Sequence, residues 1–277
     1  MTNICFIAPW GSPESLLKRF KNQTPKNLGI WNSVQGVDNP DQADCIVVLD
    51  TMGVNGICKK LNIKNLKGHS IIHLRREPDF INSFSPIPNS HFFDYKNSTF
   101  HVATWWISNS YDEIFNLKYF NKPNLLSSVV SAKWEHRNLF FKKISNLINL
   151  DIYGGPGVKK YVGKNYMHPV SGFINKEIGI RDYKYSIAIE NSSQKNYFTE
   201  KILDCLLLWS IPIYWGCPNI SSFFPEHSFY NIELDKPEEI HSIIKRPIEK
   251  KNIEAMKEAR DLILNKYNIW PVIESLL

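Results

Sequence analysis

Residues 183–229 read YKYSIAIENSSQKNYFTEKILDCLLLWSIPIYWGCPNISSFFPEHSF, and the order of apolar and polar runs within them decides the fold. Tyr185-Ser186-Ile187-Ala188-Ile189 is an apolar run of strand length. Glu190 to Asn196 is wholly polar. Thr199-Glu200-Lys201 then leads into an apolar run from Ile202 to Trp209, too long and too Leu-rich for a strand and read as a buried helix. Ile211-Pro212-Ile213-Tyr214-Trp215, bounded by Gly216 and Pro218, is a second strand with its proline near the start, where a missing N–H is tolerated. In an open parallel sheet, a strand–loop–helix–strand unit carries its loop and helix N-terminus to the carboxyl edge of the strands, where ligands bind. Free N–H groups and the positive end of the helix dipole favour an anion there, typically phosphate. Thr199 is placed as N-cap and Glu200 complements the dipole. Lys201 opposes it, which suggests an anionic ligand; a solvated lysine on a surface helix is the plainer alternative.

Five segments of this stretch together resemble the C-terminal signature of the α1,3-fucosyltransferases. They are Tyr183-Lys184-Tyr185, Glu190-Asn191-Ser192, Tyr197-Phe198-Thr199-Glu200-Lys201, Ile211 to Gly216, and Phe224 to Phe229. Order and spacing run through the whole stretch, so the signal is more specific than a lone glycine motif. One departure is Asn196, where the family usually has Asp before the Tyr. The resemblance implies a GT-B type fold of two Rossmann-like domains facing a central cleft.

The rest of the chain is read outward from this stretch. Its 277 residues can bury one large core or two smaller ones, and 43% hydrophobic with 22% charged is ordinary globular composition. The net charge of +6 comes from scattered pairs such as Lys142-Lys143 and Lys250-Lys251 rather than a basic block, which suits a small anionic ligand at least as well as nucleic acid. Five cysteines without a CxxC pair sit mostly in apolar runs and are expected as reduced, buried thiols. No apolar run reaches the ~18 residues of a membrane span and the N-terminus lacks a basic leader, so a soluble, unsecreted, cytoplasmic protein is expected. Set against the anchored Golgi members of the family it resembles, the expected lack of an anchor implies a bacterial or viral setting.

Along the chain, Asn3 to Ala8, Asp44 to Leu49 and Ser70 to Leu74 read as buried strands, and Ser12-Pro13 opens a helix with a Ser cap and Pro at its first position. Ser83 to Ser98 reads as irregular loop and Phe100 to Trp106 as a strand. Asn121-Lys122-Pro123-Asn124 has linker composition, dividing the chain into 1–122 and 123–277. Beyond it, Leu125 to Val130 and Leu150 to Tyr153 are strands, Trp134 to Leu147 and Ile253 to Tyr267 are helices, and Gly154-Gly155-Pro156-Gly157 is a turn that does not match GxGxxG. The alternation gives an α/β class with two doubly wound halves.

Site residues follow from the resemblance together with side-chain chemistry. Arg137, in the segment Ser131 to Phe140, is similar to the family's arginine that reaches the donor diphosphate, and a guanidinium can hold two phosphate oxygens at once. A surface arginine on an amphipathic helix is the alternative. Lys201 joins it at the diphosphate. The resemblance places Glu200 by the donor ribose, with Glu190, Asn191 and Ser192 around the sugar nucleotide. Thr199 completes this set with Tyr197, which either meets the donor or packs as a loop aromatic. Asp204, on the same helix, is read as capping or solvated. An inverting transfer needs a carboxylate base, and Glu77-Pro78 is similar to the segment supplying it in the family. Asp79 is the reserve, and a structural pairing of Glu77 with Arg75 or Arg76 the alternative.

No Asp-x-Asp motif occurs, and His69 with His73 lacks a third ligand, so neither metal nor cofactor is expected; basic residues can stabilise the leaving diphosphate. The expected function is an inverting glycosyltransferase moving fucose from GDP-fucose to the hydroxyl of a glycan acceptor. Another donor such as UDP-xylose is the first alternative, and a non-catalytic nucleotide or nucleic-acid binding module the second; nucleic acid is not the expected partner.

Overall fold

The structure, a computed structural model, describes residues 1–50, 54–61, 69–78, 87–97, 102, 104–167 and 175–277. Two compact units emerge, each built on a six-stranded sheet. The first comprises Met1–Thr104, Asn109–Asn116 and Leu264–Leu277; the second comprises Trp105–Ser108 and Leu117–Ile263.

In the first unit the strands are β1 (Thr2–Ile7), β2 (Ile30–Trp31), β3 (Val34–Val37), β4 (Cys45–Leu49), β5 (Ser70–Arg75) and β6 (His91–Asp94), in the order β2-β3-β1-β4-β5-β6. All neighbours are parallel except the β2–β3 pair. The alternation of side chains along a strand sends Ile4 and Phe6 of β1, with Cys45, Val47 and Leu49 of β4, into one core, and Cys5, Ile7, Ile46 and Val48 into the other. Both faces are therefore covered, as the unbroken apolar runs require. Helix α1 (Pro13–Lys21) starts at Ser12, whose hydroxyl accepts from the Ser15 N–H at 3.3 Å, and buries Leu16, Leu17 and Phe20. Helices α2 (Val54–Leu61) and α3 (Tyr111–Asn116) complete the N-terminal part.

The second unit has β7 (Asn124–Val130), β8 (Asp151–Gly154), β9 (Tyr166–Met167), β10 (Tyr183–Ile189), β11 (Ile211–Trp215) and β12 (Tyr230–Asn231), all parallel, in the order β12-β11-β10-β7-β8-β9. Its helices are α4 (Glu135–Ile144), α5 (Lys159–Val162), α6 (Glu200–Leu207), α7 (Glu239–Ile244) and α8 (Lys250–Leu262). The two-unit, parallel-sheet α/β architecture is the one expected.

Several expectations are corrected. The stretch 121–124 is no free linker: Lys122 is buried, and its ammonium donates to the carbonyls of Arg181 and Leu208, the latter at 2.8 Å, so it belongs to the second unit. Burial pulls that ammonium down to about 7. The chain's last residues return to the first unit. There α9 (Ile269–Leu276) inserts Ile269, Trp270, Val272 and Ile273 into the core around Phe6 and Phe20. Trp270 meets Phe6 edge-on at 5.5 Å and donates from Nε1 to the Phe20 carbonyl at 2.9 Å. Asn268 caps α9, and Pro271 falls in its first turn, where no N–H is needed. The loop expected across 83–98 contains β6 in its described part, and Val102 and Thr104–Trp106 form no strand. Four cysteines, at 5, 45, 205 and 217, are free and buried. Among the described residues no helix is long and apolar enough to cross a membrane.

Candidate functional site

The strand order of the second unit reverses between β7 and β10, and the crevice at the carboxyl ends of two such strands is where a parallel sheet of this kind receives ligands. Arg137 bridges those two ends. It stands in the first turn of α4, almost wholly buried, with Nη2 donating to the Ser131 hydroxyl beyond β7 at 3.0 Å and Nη1 to the carbonyl of Ile189, the last residue of β10, at 3.5 Å. The guanidinium is thus no surface charge. Burial pulls its pKa down, while the charges of Glu190 and Glu200 hold it up. Its Nε has no hydrogen-bond partner among the described residues.

Glu190 follows β10 directly and is 0% exposed. Its backbone N–H donates to the Trp215 carbonyl at 2.9 Å, and its own carbonyl accepts from His136 Nε2 at 3.2 Å. One carboxylate oxygen takes the Thr199 N–H and the other the Thr199 hydroxyl, both at 2.7 Å; the second oxygen also lies 3.1 Å from Lys201 Nζ. Such close packing needs Gly216, where a Cβ would fall 2.4 Å from Glu190 Cγ and 2.6 Å from the Tyr214 hydroxyl. Thr199 occupies the N-cap position but makes no side-chain cap bond, because its hydroxyl is held between Glu190 and Lys201.

Lys201 therefore does not stand alone against the helix dipole. Its ammonium has an oxygen for each N–H: Thr199 Oγ1 at 2.9 Å, Glu190 Oε2 at 3.1 Å and Glu200 Oε1 at 3.3 Å. Burial pulls its pKa down, yet the Glu190 and Glu200 charges outweigh it and the net direction is up. The same Glu200 Oε1 lies 3.7 Å from Lys176 Nζ, which is itself 3.0 Å from Oδ2 of the fully buried Asp204. Asp204 Oδ1 accepts from the Trp106 N–H at 2.9 Å. Burial pushes the Glu200 carboxyl up, but the two ammoniums bring it down to about 2. Burial, reinforced by Glu200, leaves Asp204 at about 6 despite Lys176. Two lysines thus stand among three carboxyl groups, with Arg137 beside them.

Among the other expected residues, Asn191 and Ser192 are partly exposed beside this cluster, whereas Tyr197 is fully buried, a packed ring. Asn196 has φ 63°, a left-handed conformation in which Asn is favoured, and pairs with Asn219: its N–H donates to Asn219 Oδ1, and Asn219 Nδ2 donates to Asn196 Oδ1, both at 2.8 Å. An Asp at that position would keep both bonds, the first because it is made by the backbone N–H and the second because a carboxylate oxygen also accepts. Glu77 lies in the first unit, partly buried just beyond β5. Arg75 pairs with Asp94 at 3.1 Å, and Arg76 with Asp50 at 2.8 Å. Burial drives the Tyr95 phenol up to about 12, with the Asp94 and Glu77 charges adding to it against Arg75. Asp79 is outside the described residues. Both ring nitrogens of His73 meet the backbone, Nε2 at Asp50 O (2.8 Å) and Nδ1 at Ile87 N (3.4 Å), which removes it as a metal ligand. Among the described residues no group of three His, Cys, Asp or Glu is arranged to hold a metal.

Residues 119–251 match the sequence profile described as "Glycosyltransferase family 10 (fucosyltransferase) C-term". This stretch belongs to glycosyltransferase family 10. The family 10 domain coincides with the second unit up to α8 and contains every member of the charged cluster apart from the Trp106 N–H. Similar proteins include the alpha-(1,3)-fucosyltransferase FucT of Helicobacter pylori, 32% identical over 96 residues that make up 35% of this chain and 18% of that protein. An alpha-(1,4)-fucosyltransferase of Arabidopsis thaliana is 37% identical over 65 residues, 23% of this chain and 16% of that one. The bovine 4-galactosyl-N-acetylglucosaminide 3-alpha-L-fucosyltransferase 9 is 26% identical over 159 residues, 54% of this chain and 41% of that one. The matches therefore span less than half of each relative's length. Crystal structures of α1,3-fucosyltransferase with GDP-fucose and with GDP superpose with TM-score 0.50 at 18% and 20% identity, covering 96% of this chain and 82% of theirs, which establishes the shared GT-B type fold.

Lys176, Ser131 and Gly216 were not singled out as site residues from sequence. Lys176 lies in the polar stretch before β10 with no motif around it. Gly216, directly after β11 and next to Cys217 and Pro218, carried the only available signal, a glycine ending a buried strand.

Proposed function

We propose that this chain is an inverting glycosyltransferase that moves fucose from GDP-fucose to a hydroxyl of a glycan acceptor. The observation that carries this is the buried Arg137–Glu190–Lys201 cluster at the switch point of a family 10 domain: cationic side chains held at a sheet edge suited to a nucleotide diphosphate. The donor is argued from relatives, since a solved α1,3-fucosyltransferase of the same fold carries GDP-fucose.

In this reading Arg137 and Lys201 hold the diphosphate, Glu200 accepts from the ribose hydroxyls, and Asn191 and Ser192 border the sugar. The Glu77 carboxylate takes the acceptor hydroxyl's proton as that oxygen attacks the anomeric carbon from the face opposite the diphosphate. GDP departs with the bonding electron pair, and the configuration inverts. Charge building on the leaving diphosphate is met by the two cationic side chains, so no metal is required.

The test is a thermal-shift panel with GDP, GDP-fucose, UDP and UDP-xylose, followed by a transfer assay in EDTA. GDP compounds at ~100 times Kd should add about 2.7 kcal/mol of stability, and GDP-fucose should be turned over with EDTA present. Stabilisation by UDP compounds alone would replace the donor. Loss of turnover in EDTA, restored by Mn²⁺, would overturn the metal-independent account.

A further inference from the structure

The cluster at the start of α6 carries an arrangement that no motif announces: one carboxylate oxygen, Glu200 Oε1, stands between two ammoniums, 3.3 Å from Lys201 and 3.7 Å from Lys176. Each lysine has in addition a buried carboxylate of its own. Glu190, 0% exposed, holds Lys201 at 3.1 Å, and Asp204, 1% exposed, holds Lys176 at 3.0 Å. Those two carboxylates are anchored on the protein, Glu190 by Thr199 and Asp204 by the Trp106 N–H. Glu200 is the shared member and, at 23%, the most exposed of the three carboxylates.

With every N–H of Lys201 already facing an oxygen, a phosphate oxygen cannot be added until one of these leaves. Glu190 and Thr199 are locked to each other through two 2.7 Å bonds, so Glu200, the most distant of the three and at the solvent edge, is the one free to go. A carboxylate displaced beside an incoming anion needs another cation, and Lys176 is already in place.

We propose that Glu200 is a placeholder for the anion at Lys201, and that Lys176 is a positioning residue which receives it: diphosphate binding hands the Glu200 carboxylate from Lys201 to Lys176. This rests on the proposed function in that it takes Lys201 as a diphosphate ligand. The exchange keeps the number of ion pairs constant, since Lys201 trades one carboxylate oxygen for one phosphate oxygen while Glu200 closes onto Lys176.

Inorganic pyrophosphate is the probe, because it lacks a ribose and so isolates the diphosphate step from any contact Glu200 makes with a nucleoside. Its affinity is measured by calorimetry in wild type, Lys176→Met, Glu200→Gln and the double variant. Lys176→Met should weaken binding by about tenfold and Lys176→Arg should restore it, a coupling ordinary for groups that share a charge network. Glu200→Gln should tighten binding, since an amide releases Lys201. In that background Lys176→Met should change affinity by less than about twofold. Should Lys176→Met melt early with Asp204 left buried and unpaired, the same comparison is made with Asp204→Asn added. Equal weakening by Lys176→Met in both backgrounds would mean that Lys176 touches the phosphate itself and would overturn the hand-over, as would unchanged affinity in Glu200→Gln. Wild type that binds neither pyrophosphate nor GDP would refute the diphosphate reading of the site, and the hand-over with it.

Discussion

Replacing Gly216 by Ala adds a single methyl group at the most crowded point of the cluster. The new Cβ would lie 2.4 Å from Glu190 Cγ, 2.8 Å from Glu190 Cβ and 2.6 Å from the Tyr214 hydroxyl. None of these is the loose end of a flexible chain. Glu190 is pinned by its backbone bond to Trp215 and by its carboxylate bonds to Thr199, and Tyr214 accepts from the Cys217 N–H at 3.0 Å. Overpacking of this kind costs about 1–3 kcal/mol, and the unfolded chain returns about 0.4–1 kcal/mol because Ala has fewer states to lose than Gly. If the methyl also forces Glu190 off Lys201, a buried pair is broken at about 3–5 kcal/mol. A net loss of about 1 kcal/mol is the smaller outcome, equivalent to roughly 2–4 °C in Tm for a unit of this size. Differential scanning fluorimetry on Gly216→Ala beside Gly155→Ala makes the comparison internal, since a Cβ at Gly155 meets no heavy atom within 4 Å. Gly155→Ala should melt at or slightly above wild type. If the two variants melt together, the close packing of Glu190 against residue 216 is wrong, and with it the account of how the carboxylate is held.

Three further outcomes are expected. Arg137→Lys retains charge but cannot span both Ser131 and Ile189, so GDP affinity should fall by about tenfold or more; unchanged affinity would return Arg137 to a purely structural part. Glu77→Gln should slow transfer by about 10²–10⁴-fold with Tm and GDP affinity kept; full turnover would move the base elsewhere, with Asp79 tested next, and a collapsed Tm would make Glu77 structural. Trp270→Ala should cost about 3–5 kcal/mol by emptying the core beside Phe6, read as a lower denaturant midpoint, whereas an unchanged midpoint would mean that α9 does not seal that core.

The strands legible in sequence are those buried on both faces. Cys45–Leu49 and Ile211–Trp215 are short, continuous apolar runs, and the structure reproduces them within a residue. The two-residue strands Ile30–Trp31, Tyr166–Met167 and Tyr230–Asn231 sit at sheet edges and are too short to show a period. The helix α9 was not read from sequence, since the expected helix ended at Tyr267 and Pro271 stands within Ile269–Leu276, and nothing local says that a core formed hundreds of residues away will take its apolar face. In the cluster, Glu190 and Lys201 were picked out because they lie within a recognisable stretch. Lys176 was not, since its partner Asp204 is 28 positions away, on α6, and only tertiary packing joins them. The burial of Glu190 was equally hidden: a run of polar residues reads as exposed loop, and only a glycine across the strand ends makes room to enclose a carboxylate.

The return of α9 to the first unit also sets an order of assembly. That unit's core includes Ile269, Trp270, Val272 and Ile273, so a nascent chain that has reached Asn116 holds all of the unit's strands but not the helix that closes them. At typical synthesis rates of about 5–20 residues per second, the stretch from Leu117 to Ile263 takes roughly 7–30 s to appear, long enough for the second unit to fold while the first waits with its apolar face uncovered. The first unit to begin is the last to finish, and that interval is when the chain is most exposed to aggregation and most in need of a chaperone.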